Sequence, residues 1–405
     1  MWLKAWTIGL ILVVLALMCV GLVTVYSTTC DTMGTAMFMR QAMWIGMGLL
    51  CCIAVALLPL EWLAKYSNIL LFVIGLLLLY LFCGVLVDKF ISKEAVLKMP
   101  FLEGATKGSF RWLKYHGYGL QPSEYAKFAL LLFLSAYYGT RSKNAIDNFW
   151  KGLAIPALAS GSILLLILLG KDLSTTVITG IMVGGIMFCA GVKLRHLALL
   201  VILGVLAGTA MLVTSPERMS RITSFRNVEE SAKDDAYQLQ VSQYALGGGG
   251  LKGRGFTRSI MKQGYLPEKH TDFILAIWGE EMGFLGTLFV LLCYMGLMVC
   301  RIGLACVSQD RVGMLICMGF CVLVTMQSIV NIGVISGWGP TTGVTAPYIS
   351  YGGSSILSLL MCTGLVFNVC GRTSRALREK HVKGSNLPTF EEIRSVMNER
   401  MEAEK

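Results

Sequence analysis

Ten apolar runs, at about 7–26, 42–60, 67–87, 124–138, 152–170, 174–191, 195–214, 273–300, 312–336 and 352–370, constrain this chain more than any other feature. About 20 apolar residues cross a bilayer core, and a segment in hydrocarbon must satisfy its own backbone groups, so such runs read as helices. Composition agrees: of 405 residues, 55% are hydrophobic and only 15% charged, against about 25% charged in soluble domains. The expected fold is an all-α polytopic membrane protein of about ten transmembrane helices. A large extracytoplasmic loop separates helices 7 and 8. The first run follows Lys4 and imitates a signal peptide, but it is too long for that and "VTVYSTT" offers no A-x-A site, so it reads as a retained helix.

An even number of spans puts both termini on one side. Lys65, Arg141, Lys143, Lys151, Lys193, Arg195, Arg301 and Arg311 fall in short loops of the proposed inner side, and the end of the chain adds Arg372, Arg375, Arg378, Lys380 and Lys383. Short outer loops carry only Arg40 and Lys171, so both termini are expected in the cytoplasm. The segment 88–122 opposes this with six Lys or Arg on the outer side, as an anion-facing loop would. The net charge of +11 is divided between the inner rim and two outer loops, which suits anionic lipid headgroups; no soluble basic domain exists for nucleic acid. The 13 cysteines lie almost all in apolar runs and include no CxxC, which supports neither a disulfide framework nor a zinc site.

Residues 1–383 read as one integral-membrane domain, with outer loops at about 88–122 and 215–272, and 384–405 as a disordered cytoplasmic tail. Both loops are too rich in aromatic and aliphatic residues for disorder, and "AYQLQVSQYAL" has helical spacing suited to lying at the interface. Polar residues cluster in five places. In the first loop, Arg111 precedes "QPSEYAK", where Pro122 starts a helix and Glu124 and Lys127 share a face; a capped helix with a local ion pair explains this as well as a site does. Asp172 in "GKDLSTT" is either a solvated turn or an inward-facing ionisable group. Gly247–Gly250 with Lys252 and Arg254 would cradle a phosphate or simply turn the chain. In "GYLPEKHTDFILAIWGEE", Asp272 heads an apolar run with His270 just before it. Glu280 and Glu281 lie roughly 12 Å further along a continuous helix. Finally, "PTTGVTAPYISYGGSS", from Pro340 to Ser355, is uncharged and breaks helices, as backbone lining a cavity does.

"FRW…QPSEYAK", "YQLQVSQYALGGGGLKGRG", "YLPEKHTDFILAIWGEEMGFLG" and "PTTGVTAPYISYGGSS", in this order around ten spans, closely resemble the SEDS family of shape, elongation, division and sporulation proteins, such as FtsW, RodA and SpoVE. "YLPE", "GEE" and "GGGLKGRG" look more like FtsW or SpoVE than RodA. The resemblance implies a peptidoglycan glycosyltransferase that polymerises lipid II outside the bacterial cytoplasmic membrane during division or wall growth. It implies a class B penicillin-binding protein transpeptidase as partner, together with other divisome or elongasome membrane proteins. By the same resemblance Asp272 is the catalytic residue, suited to act as general base toward the acceptor 4-hydroxyl. Arg111, Lys127, Lys252 and Arg254 are then candidates for the pyrophosphate, and Glu124, Asp172, His270, Ser350 and Ser354 for substrate contact. Glu280, Glu281, Pro340, Gly352 and Gly353 are expected to line or support the site. No metal ligands stand out and no cofactor is certain, although a Mg or Mn ion would serve the pyrophosphate. The family's "QPDLGT" is "GKDLST" here, which keeps Asp172 but puts the turn's role in question, and its "HTDFIF" ends in Leu275. Two other readings compete. Ten helices with inward carboxylates also describe a lipid flippase or transporter, and a scaffold recruiting a transpeptidase needs no chemistry of its own.

Overall fold

The computed structural model describes residues 2–92, 96, 99–102, 111–115, 118–213, 215, 219–221, 223, 225 and 234–385. Parts of both outer loops, and the expected tail from residue 386 onward, lie outside the described residues. Each of the ten apolar runs falls on a helix. These are α1 (Trp2–Met33), α2 (Ala36–Leu57), α3 (Leu60–Phe90), α4 (Pro122–Gly139), α6 (Ile155–Leu169), α7 (Leu173–Cys189), α8 (Leu194–Val213), α10 (Ile274–Val307), α11 (Arg311–Ile335) and α12 (Gly353–Ser385). The short α5 (Lys143–Asp147) and a π-helical turn at Trp150–Ala154 lead into α6, while α9 (Asp234–Gly248) lies in the large loop. Among the described residues eight spans are long and apolar enough to cross a membrane. The chain is a multi-pass helical membrane protein.

The two other runs depart from a plain span for physical reasons. Helix α4 carries Glu124 and Lys127 and is buried along nearly its whole length, packed among α3, α7, α11 and α12. Its neighbours, rather than lipid, make the surroundings of its charges. Helix α7 has only 17 residues and packs on α11 and α4. At the periphery, α8 buries only His196 and exposes Val201, Ile202, Leu203, Val205 and Leu206, the face expected of a helix against acyl chains.

Breaks between helices follow from proline and glycine. Leu58, before Pro59, takes an extended ψ of 142°, as the pyrrolidine ring demands of its predecessor, so α2 ends and α3 starts there. The run at 273–300 is not one continuous helix. Gly283 sits at φ 69° and ψ −164°, splitting α10 into a short segment, Ile274–Met282, and a long one after the break. Glu280 and Glu281 fall at the end of the short segment, immediately before the break.

In the first outer loop β1 (Leu113–Tyr115) and β2 (Tyr118–Leu120) pair antiparallel, a small exception to the all-helical expectation. The helical spacing in the second loop produces α9. It buries Ala236, Leu239, Val241 and Ala245 against α10 and α11, so it docks on the bundle end through that face.

Contacts between element ends sort into two sets. At one end, Arg372 pairs with Glu61 at 2.8 Å and Asp310 at 3.2 Å, and Arg311 donates to the carbonyls of Arg141 and Ala190. At the other end meet Gln121, Asp172, Thr342, Ser350 and the segment before α10. One basic residue does not belong to the first set. Arg301, read from sequence as an inner-loop charge, is fully buried within α10.

Candidate active site

The two most distinctive stretches of the sequence meet at the second end, and the contact is made almost entirely through backbone. The carbonyl of His270 accepts from Tyr351 N at 3.0 Å. That of Thr271 accepts from Ser350 Oγ at 2.6 Å, and that of Asp272 from Asn331 Nδ2 at 2.8 Å. Asn331 also donates to Val344 O at 2.7 Å, so one buried amide on α11 clamps both segments. Ser350 Oγ in turn accepts from Ala346 N at 2.8 Å, closing its own turn. Three successive carbonyls before α10 are thus fixed, and with them the direction of the half-buried Asp272 side chain. The carboxylate faces the Pro340–Val344 stretch: a Cβ placed on Gly343 would come within 3.6 Å of Asp272 Oδ2.

The first loop reaches the same end through α12. Ser354 Oγ accepts from Gln121 N at 3.0 Å, and Ser358 Oγ donates to Glu124 O at 2.6 Å. Gly353 lets the Trp44 ring approach, since a Cβ there would meet it at 2.5 Å; Gly352 N donates to Gln41 Oε1 at 3.3 Å. Asp172 is the N-cap of α7 and accepts from Thr175 N at 3.2 Å. It is buried, receives Gln121 Nε2 at 3.4 Å, and lies 4.0 Å from Arg111 Nη1. Ser174 Oγ donates to Thr342 O, so the 170–175 turn touches the Pro340–Ser355 stretch. Asp172 is therefore a helix cap that faces inward, and the solvated-turn alternative left open by sequence does not hold.

Other candidates sit differently. Lys127 pairs with Glu124 at 2.8 Å, both side chains nearly inaccessible. The local ion pair is real, and it points into the bundle. Lys252 is exposed. Arg254 lies 3.4 Å from Glu280 and donates to Gly248 O. The glycine stretch closes on protein backbone: Arg254 N donates to Glu280 O at 3.0 Å, Gly255 N to Glu281 O at 3.0 Å, and Phe284 N to Gly250 O at 2.8 Å. The break at Gly283 is the landing place of this loop. Inside it, Glu280 accepts from Ile260 N at 3.0 Å and Met261 N at 3.2 Å. Glu281 takes Ser27 Oγ and lies 3.8 Å from Lys262 Nζ. The two glutamates satisfy loop backbone and a buried lysine, which is why the apolar run tolerates them.

Burial pushes the His270 imidazole below its ordinary 6.5, with Lys269 adding to the effect and Glu268 opposing it. A depressed histidine pKa means that the unfolded chain binds the proton more readily. Stability is then complete above about 6.5 and is lost as pH falls through the lower folded value. The unfolding temperature in detergent is expected to drop between about pH 7 and pH 5, and to drop less for His270→Gln. Equal pH slopes would remove His270 from this role.

A family profile described as "Cell cycle protein", spanning FtsW, RodA and SpoVE, matches residues 5–375. The chain belongs to the FtsW/RodA/SpoVE family. Among its relatives, stage V sporulation protein E of Bacillus subtilis (strain 168) is 34% identical over 370 residues, covering 89% of this chain and 95% of that protein. A "probable peptidoglycan glycosyltransferase FtsW" of Geobacter metallireducens is 32% identical over 371 residues, covering 90% and 94%. Among solved structures, a chain of a peptidoglycan synthase complex that coordinates polymerization and crosslinking superposes with TM-score 0.72 at 27% identity, covering 90% of this chain and 97% of that one. Rod shape determining protein RodA of Thermus thermophilus superposes with TM-score 0.64 at 26% identity, covering 90% and 96%.

In this FtsW/RodA/SpoVE chain several residues that organise the site escape a reading by motif. Asn331 and Gln41 are amides within apolar helices, and Ser27, Ser259 and Lys262 surround the buried glutamates. The signal that points to them is polarity inside apolar runs: an amide within a span is retained where it has a partner.

Proposed function

We propose that this chain is a peptidoglycan glycosyltransferase that polymerises lipid II on the outer face of a bacterial cytoplasmic membrane. The observation carrying the proposal is the seating of His270–Asp272 on Ser350, Tyr351 and Asn331. It holds one half-buried carboxylate beside a helix-free stretch, at the bundle end opposite Arg141, Arg311 and Arg372. The names of FtsW relatives and the fold shared with the synthase complex support it. Positive charge at the opposite end, with Arg301 set aside, supports cytoplasmic termini and an outward site.

In this reading Asp272 takes the proton of the acceptor 4-hydroxyl. The oxygen attacks the anomeric carbon of the lipid-linked donor sugar, the pyrophosphate leaves with the bonding pair, and the configuration inverts. Lys252 is exposed, and Arg111 and Arg254 keep partly exposed side chains while each faces a carboxylate of this chain, Asp172 and Glu280, so these three are the basic candidates for the departing phosphates; Lys127 is buried against Glu124. Ser350 and Ser354 act by holding backbone, which gives them a positioning part in place of substrate contact. Among the described residues no three His, Cys, Asp or Glu side chains gather as ligands for a Mg or Mn ion. A class B transpeptidase is the proposed partner, because a glycan strand made here must be crosslinked.

Purified protein, reconstituted with its cognate transpeptidase and labelled lipid II, is expected to form glycan polymer resolvable on a gel. Transfer of lipid II across vesicle leaflets with no polymer would instead establish the transporter reading. Neither polymer nor transfer would leave the scaffold reading.

A further inference from the structure

Arg301 is the largest fully buried side chain of the described residues. It lies in the apolar part of α10, about two turns before the helix ends at Val307. Its guanidinium stacks 4.1 Å from the Phe320 ring centroid, and Nη2 donates to Tyr348 Oη at 2.9 Å. Nε and Nη1 have no hydrogen-bond partner among the described residues, and no carboxylate there pairs with it. A charge kept at such cost inside a membrane protein marks a function more often than a stabilising contact.

Tyr348 connects it to the site. The residue is buried and stands at φ 64°, a left-handed conformation that a bulky side chain adopts only where its surroundings impose it. Its hydroxyl accepts from Arg301 and lies 2.9 Å from Thr363 Oγ1. Thr363 donates its own proton to Leu359 O at 2.8 Å, so the phenol proton goes to Thr363. Tyr348 is therefore held as acceptor by α10 and as donor by α12. On the backbone side, Tyr294 Oη donates to Pro347 O at 2.9 Å, and Gly21 packs so closely that a Cβ there would lie 2.7 Å from Ile349 O. The next two residues, Ser350 and Tyr351, donate to the carbonyls of Thr271 and His270, immediately ahead of the proposed base.

We infer that Arg301, through Tyr348, is a positioning residue for Asp272. The guanidinium fixes the phenol, the phenol imposes the left-handed turn at 348, and that turn sets Ser350 and Tyr351 at the height where they hold the backbone of His270 and Thr271. The inference rests on the glycosyltransferase reading and deepens it. A polar group in the interior of the bundle controls the geometry of a carboxylate at its outer end, where a displacement of about 1 Å can cost on the order of a hundredfold in rate.

The test compares Tyr348→Phe, Arg301→Lys, Thr363→Val, Ser350→Ala and the Tyr348→Phe/Ser350→Ala double variant in lipid II polymerisation with the transpeptidase present. Each variant is checked by monodispersity and unfolding temperature. Tyr348→Phe keeps the ring and removes one hydroxyl; it is expected to lower kcat at least about tenfold while leaving KM for lipid II within about twofold. Arg301→Lys, which retains a donor cation, is expected to fall between wild type and Tyr348→Phe. The double variant is expected to lose no more than the worse of its two parents, because both act through one contact. Thr363→Val reports on the same hydroxyl from the other side if Tyr348→Phe lowers the yield of folded protein. Wild-type kcat in folded Tyr348→Phe or Thr363→Val overturns the inference. So do losses that multiply in the double variant, because these mean independent packing effects. Absence of polymer from wild type defeats the underlying reading instead, and is distinguished by that control.

Discussion

Asp272→Asn is expected to lower lipid II polymerisation by about 10²–10⁴-fold, the range a positioned general base contributes. The substitution is close to isosteric. The bond that fixes residue 272 in place is made by its backbone carbonyl to Asn331 Nδ2, and the preceding carbonyls are held by Ser350 and Tyr351; none of these needs the carboxylate. Folded protein with an unchanged KM and a collapsed kcat is therefore the predicted phenotype, because an amide can occupy the space but cannot accept the proton. Asn331→Leu is the informative companion. It leaves the carboxylate but frees two carbonyls, Asp272 O and Val344 O, and should lower kcat by a smaller factor while also lowering the unfolding temperature. Polymerisation by Asp272→Asn at the wild-type rate, in folded protein, ends the general-base assignment.

Part of this arrangement is legible in the amino-acid sequence alone. Runs of apolar residues give the helices because hydrocarbon leaves backbone no other way to bond. "HTDF" and "PYISYGGSS" stand out because polar and helix-breaking residues in a greasy chain demand a reason. That these two stretches touch is not legible, since the contact between Ser350 and Thr271 crosses 79 residues of sequence and depends on how α10, α11 and α12 pack. The glycine stretch is ambiguous in sequence for a definite reason. Small residues with Lys and Arg suit close approach to a phosphate and close approach to another backbone equally well. The hydrogen bonds that Arg254 N, Gly255 N and Phe284 N make at the Gly283 break show that backbone is present there. Arg301 misleads in the same way: a charge near the end of an apolar run looks like a span boundary, and hydropathy cannot tell a rim arginine from one whose guanidinium lies on a ring inside the bundle.

Gly253→Ala is expected to undo the docking of that loop, and its effect should be among the largest of any single-methyl change in this protein. Gly253 stands at φ 80°, and a Cβ there would lie 2.0 Å from Glu281 O. Left-handed backbone costs a residue with a Cβ about 1–2 kcal/mol. Relieving the clash must also pull Arg254 N and Gly255 N away from the carbonyls of Glu280 and Glu281, each such bond being worth about 1 kcal/mol. A destabilisation of at least about 2 kcal/mol follows from these terms together. The consequences extend past the loop, because Glu280 and Glu281 also hold Ser259, Ile260, Ser27 and Lys262, and the chain runs from there directly into His270 and Asp272. Gly247→Ala supplies the control: the same change in the same stretch, at a position where a Cβ meets nothing within 4 Å. Limited proteolysis is expected to cut Gly253→Ala between residues 249 and 265 while sparing wild type and Gly247→Ala. Polymerisation should fall only in the first variant. If both variants unfold at the wild-type temperature and resist protease equally, the loop is not held by backbone docking at the Gly283 break, and the glycine stretch regains its claim to a bound phosphate.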